Sequence, residues 1–378
     1  MSLPDLWFVL IAVLWTGFFV LEGFDFGVGM LHTVVSRSDA ERRVAINAIG
    51  PFWDGNEVWL VVAGAGMFAA FPPWYATWLS AGYLAVLLML VALILRGVTF
   101  EFRGKVDGGR WRGTWSGALS AGSLVAPFVL GVALGDLLVG LPVDKNQEFT
   151  GTFWSLFTGY GVFTGLTLVA LCLVHGAVFL SLRTTGHVRE RALRLGVPLA
   201  WVALVAVAGF GVWTLDIGTV GPLTYTLLTL APLAVLVALV SLRHDREGRA
   251  FAATAVAMAA TVAGLFGSLH PNLLVSSTSR AYNLTVSDSA SGHYALKVMT
   301  IVALLLLPVV LAYQGYTYVV FRSRVSGPRV DPRGRRPEPA GPLVPQQRTS
   351  PPSGAPTGSP AGEAASAPRT TGGPTTPG

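Results

Sequence analysis

The sequence predicts an all-α polytopic membrane protein with nine transmembrane helices, an outward N-terminus, a cytoplasmic C-terminus and a disordered C-terminal tail. Three observations carry this expectation. Of 378 residues, 52% are hydrophobic and 12% charged, and the mean hydropathy is +0.58. Apolar runs recur at lengths near 20 residues, about what a helix rising 1.5 Å per residue needs to cross a hydrocarbon core of about 30 Å. Basic residues gather in alternate loops, the bias that sets orientation in a bilayer.

In order, the runs lie near 6–31, 48–71, 75–95, 115–139, 160–182, 195–215, 225–242, 251–269 and 294–321. The first is too long, and too acidic at its far end, for a cleaved signal peptide, so it is expected to stay. Pro198, Pro222 and Pro232 interrupt or flank the sixth and seventh. Arg37, Arg42 and Arg43 follow the first span; Arg103, Lys105, Arg110 and Arg112 follow the third. Arg183, Arg189, Arg191 and Arg194 follow the fifth, and Arg243, Arg246 and Arg249 the seventh, whereas Lys145 and Arg280 are the clear basic residues of the intervening loops. Nine crossings give the parity that this charge bias requires.

Residues 1–321 thus read as the membrane domain and 322–378 as a tail. Thirteen of the 24 prolines fall in the tail, among Gly, Ser, Thr and Ala. Such a segment cannot bury a core and is expected to be disordered and cytoplasmic. Its eight arginines against Asp331, Glu338 and Glu363 supply +5 of the chain's +6 net charge, so the basic pI is mostly a property of the tail. It reads as a solubilising extension near anionic lipid headgroups. Without aromatic side chains for base stacking, no nucleic-acid partner is expected.

Cys172 is the lone cysteine, which excludes an intrachain disulfide, an iron–sulfur cluster and a CxxCH haem attachment. A haem inside a bilayer needs facing axial His or Met side chains. Of six histidines only His175 is clearly mid-span, and Met67 and Met89 have no evident His partner. The chain is therefore expected to bind no metal and no cofactor by itself, with His175 a helix-interface residue. The pairs Gly23/Gly27, Gly131/Gly135 and Gly161/Gly165 have the spacing that lets helices approach closely.

Against this apolar background, Glu22 and Asp25 in LEGFDFGVGM and Asp54 and Glu57 in GPFWDGNEVWL stand out. Four intramembrane carboxylates oppose insertion by roughly 10 kcal/mol in sum unless they have partners or water. Counted from Trp7, Glu22 lies roughly 22 Å and Asp25 about 27 Å into the first helix; Asp54 and Glu57 enter the second from the other side and reach a similar depth, roughly 10 to 15 Å from the cytoplasmic face. Each pair is spaced i, i+3 and so projects from one face of its helix. Arg96 and Glu101, in LRGVTFEFR, bring a guanidinium and another carboxylate to the same zone. Two readings fit: a proton half-channel open to one side, or an Arg–acid network that locks three helices together. Asp25 and Glu101 also lie near enough to the headgroups to be simply solvated. A proton-coupled secondary transporter is the alternative from another class, but it would place its site near the midplane and in matched broken helices. Here the acids are off-centre.

The segments LEGFDFGVGM, RRVAINAIGPFWDGNEVWL, FPPWYA and LRGVTFEFR followed by RW, in order and at matching intervals, resemble subunit II of the bacterial cytochrome bd quinol oxidases. The similarity is close over the first four spans and weaker as far as Phe321, where VSSTSRAYNLTVSDSASGHYALKVMT resembles the outer loop before the last helix. The resemblance implies a nine-helix, multi-pass subunit of the bacterial cytoplasmic membrane. It would be paired with a homologous subunit I that holds b-type and d-type haems and oxidises quinol while reducing oxygen to water. In such an enzyme this chain has no catalytic residue of its own. The resemblance further implies that Asp54, in the WDGN motif, belongs to a proton path shared between subunits and that Trp59 lines an apolar oxygen route. Glu22, Asp25, Glu57, Arg96 and Glu101 are candidates for the same path, mainly from their depth. Where Glu22 and Glu57 stand, the enterobacterial form carries aspartate and glutamine; the cluster here is more acidic, and carboxylates this close would share protons. Some members hold a structural quinone in this subunit, and others have small accessory subunits; nothing in the sequence marks either.

Overall fold

The computed structural model describes residues 2–326, so nearly all of the tail, with the disorder expected of it, lies outside the described residues. Helix α1 (Leu3–Leu31) opens with a capping box: Asp5 N–H donates to Ser2 Oγ, while the Asp5 carboxylate accepts from the Ser2 N–H. Two donors that a helix start leaves unpaired are thereby satisfied.

A separate helix ends where the second expected span begins, and the third expected span resolves into two helices. An amphipathic α2 (Asp39–Ile49), capped by Ser38, precedes α3 (Trp53–Ala70). Next, α4 (Pro72–Ala81) leads through Gly82 into α5 (Tyr83–Phe102). Pro51 separates α2 from α3 and the Pro72–Pro73 pair separates α3 from α4, since proline lacks the N–H that would continue a helix, whereas the α4–α5 break falls at Gly82. The remaining helices are α6 (Gly109–Val139), α7 (Gly159–Arg183), α8 (Gly186–Ile217), α9 (Pro222–Arg243), α10 (Glu247–Leu269) and α11 (His293–Val320). A short antiparallel pair, β1 (Asn272–Leu274) and β2 (Leu284–Thr285), lies between the last two.

Among the described residues, eight helices are long and apolar enough to cross a bilayer: α1 and α5 to α11. Helix α3 is not one of them, because Asp54, Asn56 and Glu57 crowd its first turns. Pro198 and Pro232 do not interrupt their helices, as the sequence suggested; α8 and α9 run through them, and Pro222 begins α9. Neighbouring helices in a bundle can restore the backbone groups that an internal proline frees.

Helix α7 is the hub, packed by α1, α6, α8 and α10, and 83% of its most apolar stretch is buried against 6% for α11. The close approach to α6 depends on missing side chains. A Cβ on Gly131 would lie 2.6 Å from Gly165 Cα, and one on Gly135 would lie 2.9 Å from Gly161 Cα. Gly27 of α1 meets Gly176 of α7 in the same way, backbone on backbone. Such contacts let dispersion act over the whole helix length where lipid offers no hydrophobic drive between helices.

One end of the bundle collects the arginines. There Arg103 meets Asp39 at 2.5 Å, Arg191 meets Glu41 at 2.7 Å, and Glu247 sits between Arg189 (2.5 Å) and Arg324 (2.7 Å). These pairs fasten α2 to α5 and α8, and the residues after α11 to α10. The hydrogen bond from Arg191 holds the Glu41 carboxyl below its ordinary range.

Candidate intramembrane polar site

The i, i+3 spacing on α1 turns both Glu22 and Asp25 into the bundle, where neither has any exposed surface. Asn56 of α3 reaches across to them. Its amide donates to Asp25 Oδ2 at 2.7 Å and to the Leu21 carbonyl at 3.0 Å. Asn56 Oδ1 accepts from Gln314 Nε2 at 2.8 Å and from the Tyr318 hydroxyl at 3.0 Å, both on α11. Two donors and two acceptor positions are all that an amide side chain offers, so Asn56 is saturated and joins three helices. These bonds matter because only Leu296 of α11 is buried. Near the other end of that helix, Trp7 Nε1 donates to Thr300 Oγ1 at 3.0 Å.

Beside this chain of bonds lies Arg96 of α5, fully buried. Its Nη1 is 2.5 Å from Glu22 Oε1 and 3.6 Å from Glu57 Oε2. The guanidinium rests 4.9 Å from the ring centroid of Phe26 and 6.0 Å from that of Phe100, faces that attract a desolvated cation. Gly122 closes the site from α6, packed on the Ala92 carbonyl and on Arg96 Cβ. Glu57 alone keeps an edge open, with its side chain 22% exposed.

Of the residues singled out from the sequence, Glu22, Asp25, Glu57 and Arg96 are thus brought together. Asp54 and Glu101 are not. Asp54 is exposed, on a side of α3 that also shows Val58, Val61 and Val62. Glu101 is exposed five residues beyond Arg96, about 7.5 Å further along α5. Trp59 is 9% exposed and lies on Gly17 of α1, where a Cβ would come within 2.5 Å of its ring.

Asn56, Gln314 and Tyr318 escaped the sequence reading, which searched for charge. Their signal was a polar amide inside WDGNEVW and another within an otherwise apolar last span. Asp136 was missed too: it is 1% exposed on α6, accepts from Thr158 Oγ1 at 2.5 Å, and borders an apolar cavity of about 560 Å³. Trp15, Met67, Tyr75, Trp78 and Met89 line the same cavity. His175 is bonded at both ring nitrogens, Nε2 to the Val20 carbonyl at 3.2 Å and Nδ1 to Thr254 Oγ1 at 2.6 Å, and it stacks on Phe251. The Val20 carbonyl can only accept, so Nε2 donates to it; the Thr254 hydroxyl also donates to the Phe251 carbonyl at 3.0 Å.

The sequence profile of the family described as Cytochrome bd terminal oxidase subunit II matches residues 3–321. Cytochrome bd ubiquinol oxidase subunit 2 of Bacillus subtilis (strain 168) is 45% identical over 329 residues, covering 86% of this chain and 97% of its own. Cytochrome bd-I ubiquinol oxidase subunit 2 of Escherichia coli (strain K12) is 33% identical over 359 residues, covering 85% and 94%. In fold, the chain is similar to one in the structure of bd oxidase from Geobacillus thermodenitrificans, with a TM-score of 0.65 at 21% identity, covering 85% of this chain and 99% of that one. A match across the whole helical bundle, together with a relative at 45% identity, shows that this chain belongs to the cytochrome bd terminal oxidase subunit II family.

Proposed function

We propose that the chain serves as the haem-free subunit II of a quinol-oxidising, oxygen-reducing complex in the bacterial cytoplasmic membrane, supporting subunit I and carrying cytoplasmic protons toward it. The observation that carries this reading is the buried set Glu22, Asp25, Glu57 and Arg96. Three carboxylates share one guanidinium, so full ionisation would leave two uncompensated negative charges in low dielectric. A proton taken up by any of them removes one such charge. The set can therefore hold and release protons, with Glu57 as its opening.

Asp54 stands one helical turn from Glu57, on an exposed and otherwise apolar side of α3. That position suits a handover to a partner subunit that covers this side. Glu101 and the arginine-rich end would form the cytoplasmic approach. In this arrangement α3 makes the second crossing and the α4–α5 pair the third, giving nine crossings with the N-terminus outside. Residues 1–321 form the membrane domain, and 322–378 a cytoplasmic extension.

The family supports a reading in which subunit I holds the haems, which would supply electron transfer and oxygen reduction there. The mid-span candidates His175 and Met67 do not fit an axial pair: both nitrogens of His175 are engaged, and Met67 Sδ accepts from Trp15 Nε1. A structural quinone, where this subunit holds one, has the cavity beside Asp136 available to its ring. Trp59, flat on α1, would edge an apolar route for oxygen. Small accessory subunits would join through the complex, and a transporter would need a site near the midplane, away from these off-centre acids.

Asp54→Asn tests the path. Haem content of the purified complex should be retained while quinol oxidase turnover falls at least tenfold, as when a positioned proton-transfer group is lost. Normal haem with normal turnover would remove Asp54 from the path; lost haem would make it a structural residue.

A further inference from the structure

On the side of the bundle formed by α8 and α9, an uncompensated cationic rim sits above a bare apolar groove. On α8, Arg194, Pro198, Trp201 and Val205 are spaced 4, 3 and 4 residues apart, and all four are exposed. They form one stripe on a helix. On α9, Leu236, Val240 and Arg243 are exposed at spacings of 4 and 3, a second stripe. Gly196 packs on Leu242, which sets the two antiparallel helices in register and brings Arg194 level with the end of α9.

Arg243 has two directions open to it. A snorkelling arginine extends toward water, but this one turns inward, with its Cζ 5.7 Å from the centroid of Trp201, a ring 46% exposed. Arg246 in the turn to α10 and Arg249 in the first turn of α10 follow, exposed and without a carboxylate partner among the described residues. The nearby acids do not neutralise the rim. Glu190 lies 3.8 Å from Arg194 and 3.5 Å from His187, Glu247 is engaged by Arg189 and Arg324, and Asp245 stands single in the turn. Below the rim, the α8 surface from Trp201 to Val212 runs about 16 Å, near the half-thickness of roughly 15 Å that one acyl chain spans.

We propose that this rim and groove bind an anionic phospholipid, its phosphodiester on Arg243 and Arg246 and an acyl chain laid between the α8 and α9 stripes. The pairing with Trp201 holds the Arg243 guanidinium at headgroup depth, so little side-chain freedom is lost on binding. A neutral phospholipid has the same tails but gains nothing from the surplus arginines, so preference follows the headgroup charge.

Native mass spectrometry of the purified two-subunit complex tests this, with palmitoyl-oleoyl phosphatidylglycerol and phosphatidylcholine titrated separately in detergent. The wild type should retain the glycerol lipid in preference to the choline lipid. Each arginine removed should weaken that retention about fivefold, so Arg243→Ala with Arg246→Ala loses roughly 25-fold. Trp201→Ala should weaken it too, whereas Arg110→Ala, which removes an exposed arginine elsewhere at the same end, should not; unchanged haem content confirms intact complexes. Equal retention of the choline lipid, displacement by millimolar inorganic phosphate, or an equal loss in Arg110→Ala would overturn the proposal.

Discussion

Removing the one cation of the buried set should be more damaging than removing its partner with it. Arg96→Met keeps most of the apolar stem and deletes the guanidinium, leaving Glu22, fully buried and 2.5 Å away, without its counter-charge. Breaking a buried pair from one side costs about 3 to 5 kcal/mol, and loss of the cation over Phe26 adds up to about 2 kcal/mol. Adding Glu22→Gln removes the stranded charge and should return at least about 2 kcal/mol, because a neutral amide is far cheaper to bury than a carboxylate. The assay is the thermal midpoint of the purified complex in detergent, read with haem retention, for wild type, both single variants and the double. If Arg96→Met melts within about 1 kcal/mol of wild type, or Glu22→Gln gives no recovery in its background, the ion pair is not what burdens this site. Turnover of Glu22→Gln alone adds the functional arm: a stable, haem-replete complex with slowed oxygen consumption assigns Glu22 to proton movement.

His32, just beyond α1 and without exposed surface, has its imidazole pushed down to about 4 by burial, with a smaller contribution from Arg103 and Arg42. The unfolded chain binds its proton first, so this neutral His contributes stability above pH 6.5 that is lost as pH falls toward 4; between pH 7.5 and 4.5 the wild type should lose about 2 to 3 kcal/mol more than His32→Gln, and parallel melting curves would refute this. Gly165→Val would place side-chain atoms on the Phe128 carbonyl and against Val132; it should destabilise by at least about 2 kcal/mol and lower the yield of complex, whereas a yield matching wild type would mean that α6 and α7 can part. Asn56→Leu strands the Gln314 and Tyr318 donors and takes a donor from Asp25. It should cost about 2 to 4 kcal/mol and make α11 the first helix cut by protease, while unchanged cleavage would show that α11 is held elsewhere.

Much of the helical content was legible in the sequence because length and apolarity are local properties. Segment 160–182 is a clean example, and α7 covers it. The breaks at Pro51 and Gly82 were harder to read, since a hydropathy window averages across a single residue. The spacing of the glycine pairs announced close packing, though not that those of α6 would meet those of α7. At the site, depth arithmetic put Glu22, Asp25, Asp54, Glu57, Arg96 and Glu101 in one zone, because rise per residue is fixed, and four of the six meet there. Depth says nothing about azimuth, however, so it could not tell that Asp54 faces away from Asp25 while Asn56, two residues on, faces toward it. Gln314 lies more than 250 residues from Asn56, a pairing that no local rule can supply.

The two readings of the acids, lock and proton store, make different demands on stoichiometry. A lock gains most from neutrality: one arginine and one carboxylate at 2.5 Å satisfy it, and each further buried acid only adds desolvation cost. Asp25 does not touch Arg96 within ion-pair distance; its recorded hydrogen-bond donor is Asn56, which four bonds already hold between α1, α3 and α11. An amide or hydroxyl at position 25 would serve that contact without the charge. Glu57 is likewise surplus, at 3.6 Å from a guanidinium that Glu22 already occupies, and it is the member with an open edge. The carboxylates beyond the first are thus costly as architecture, and we propose that Glu22 with Arg96 serves the lock while Asp25 and Glu57 are the members retained for proton exchange.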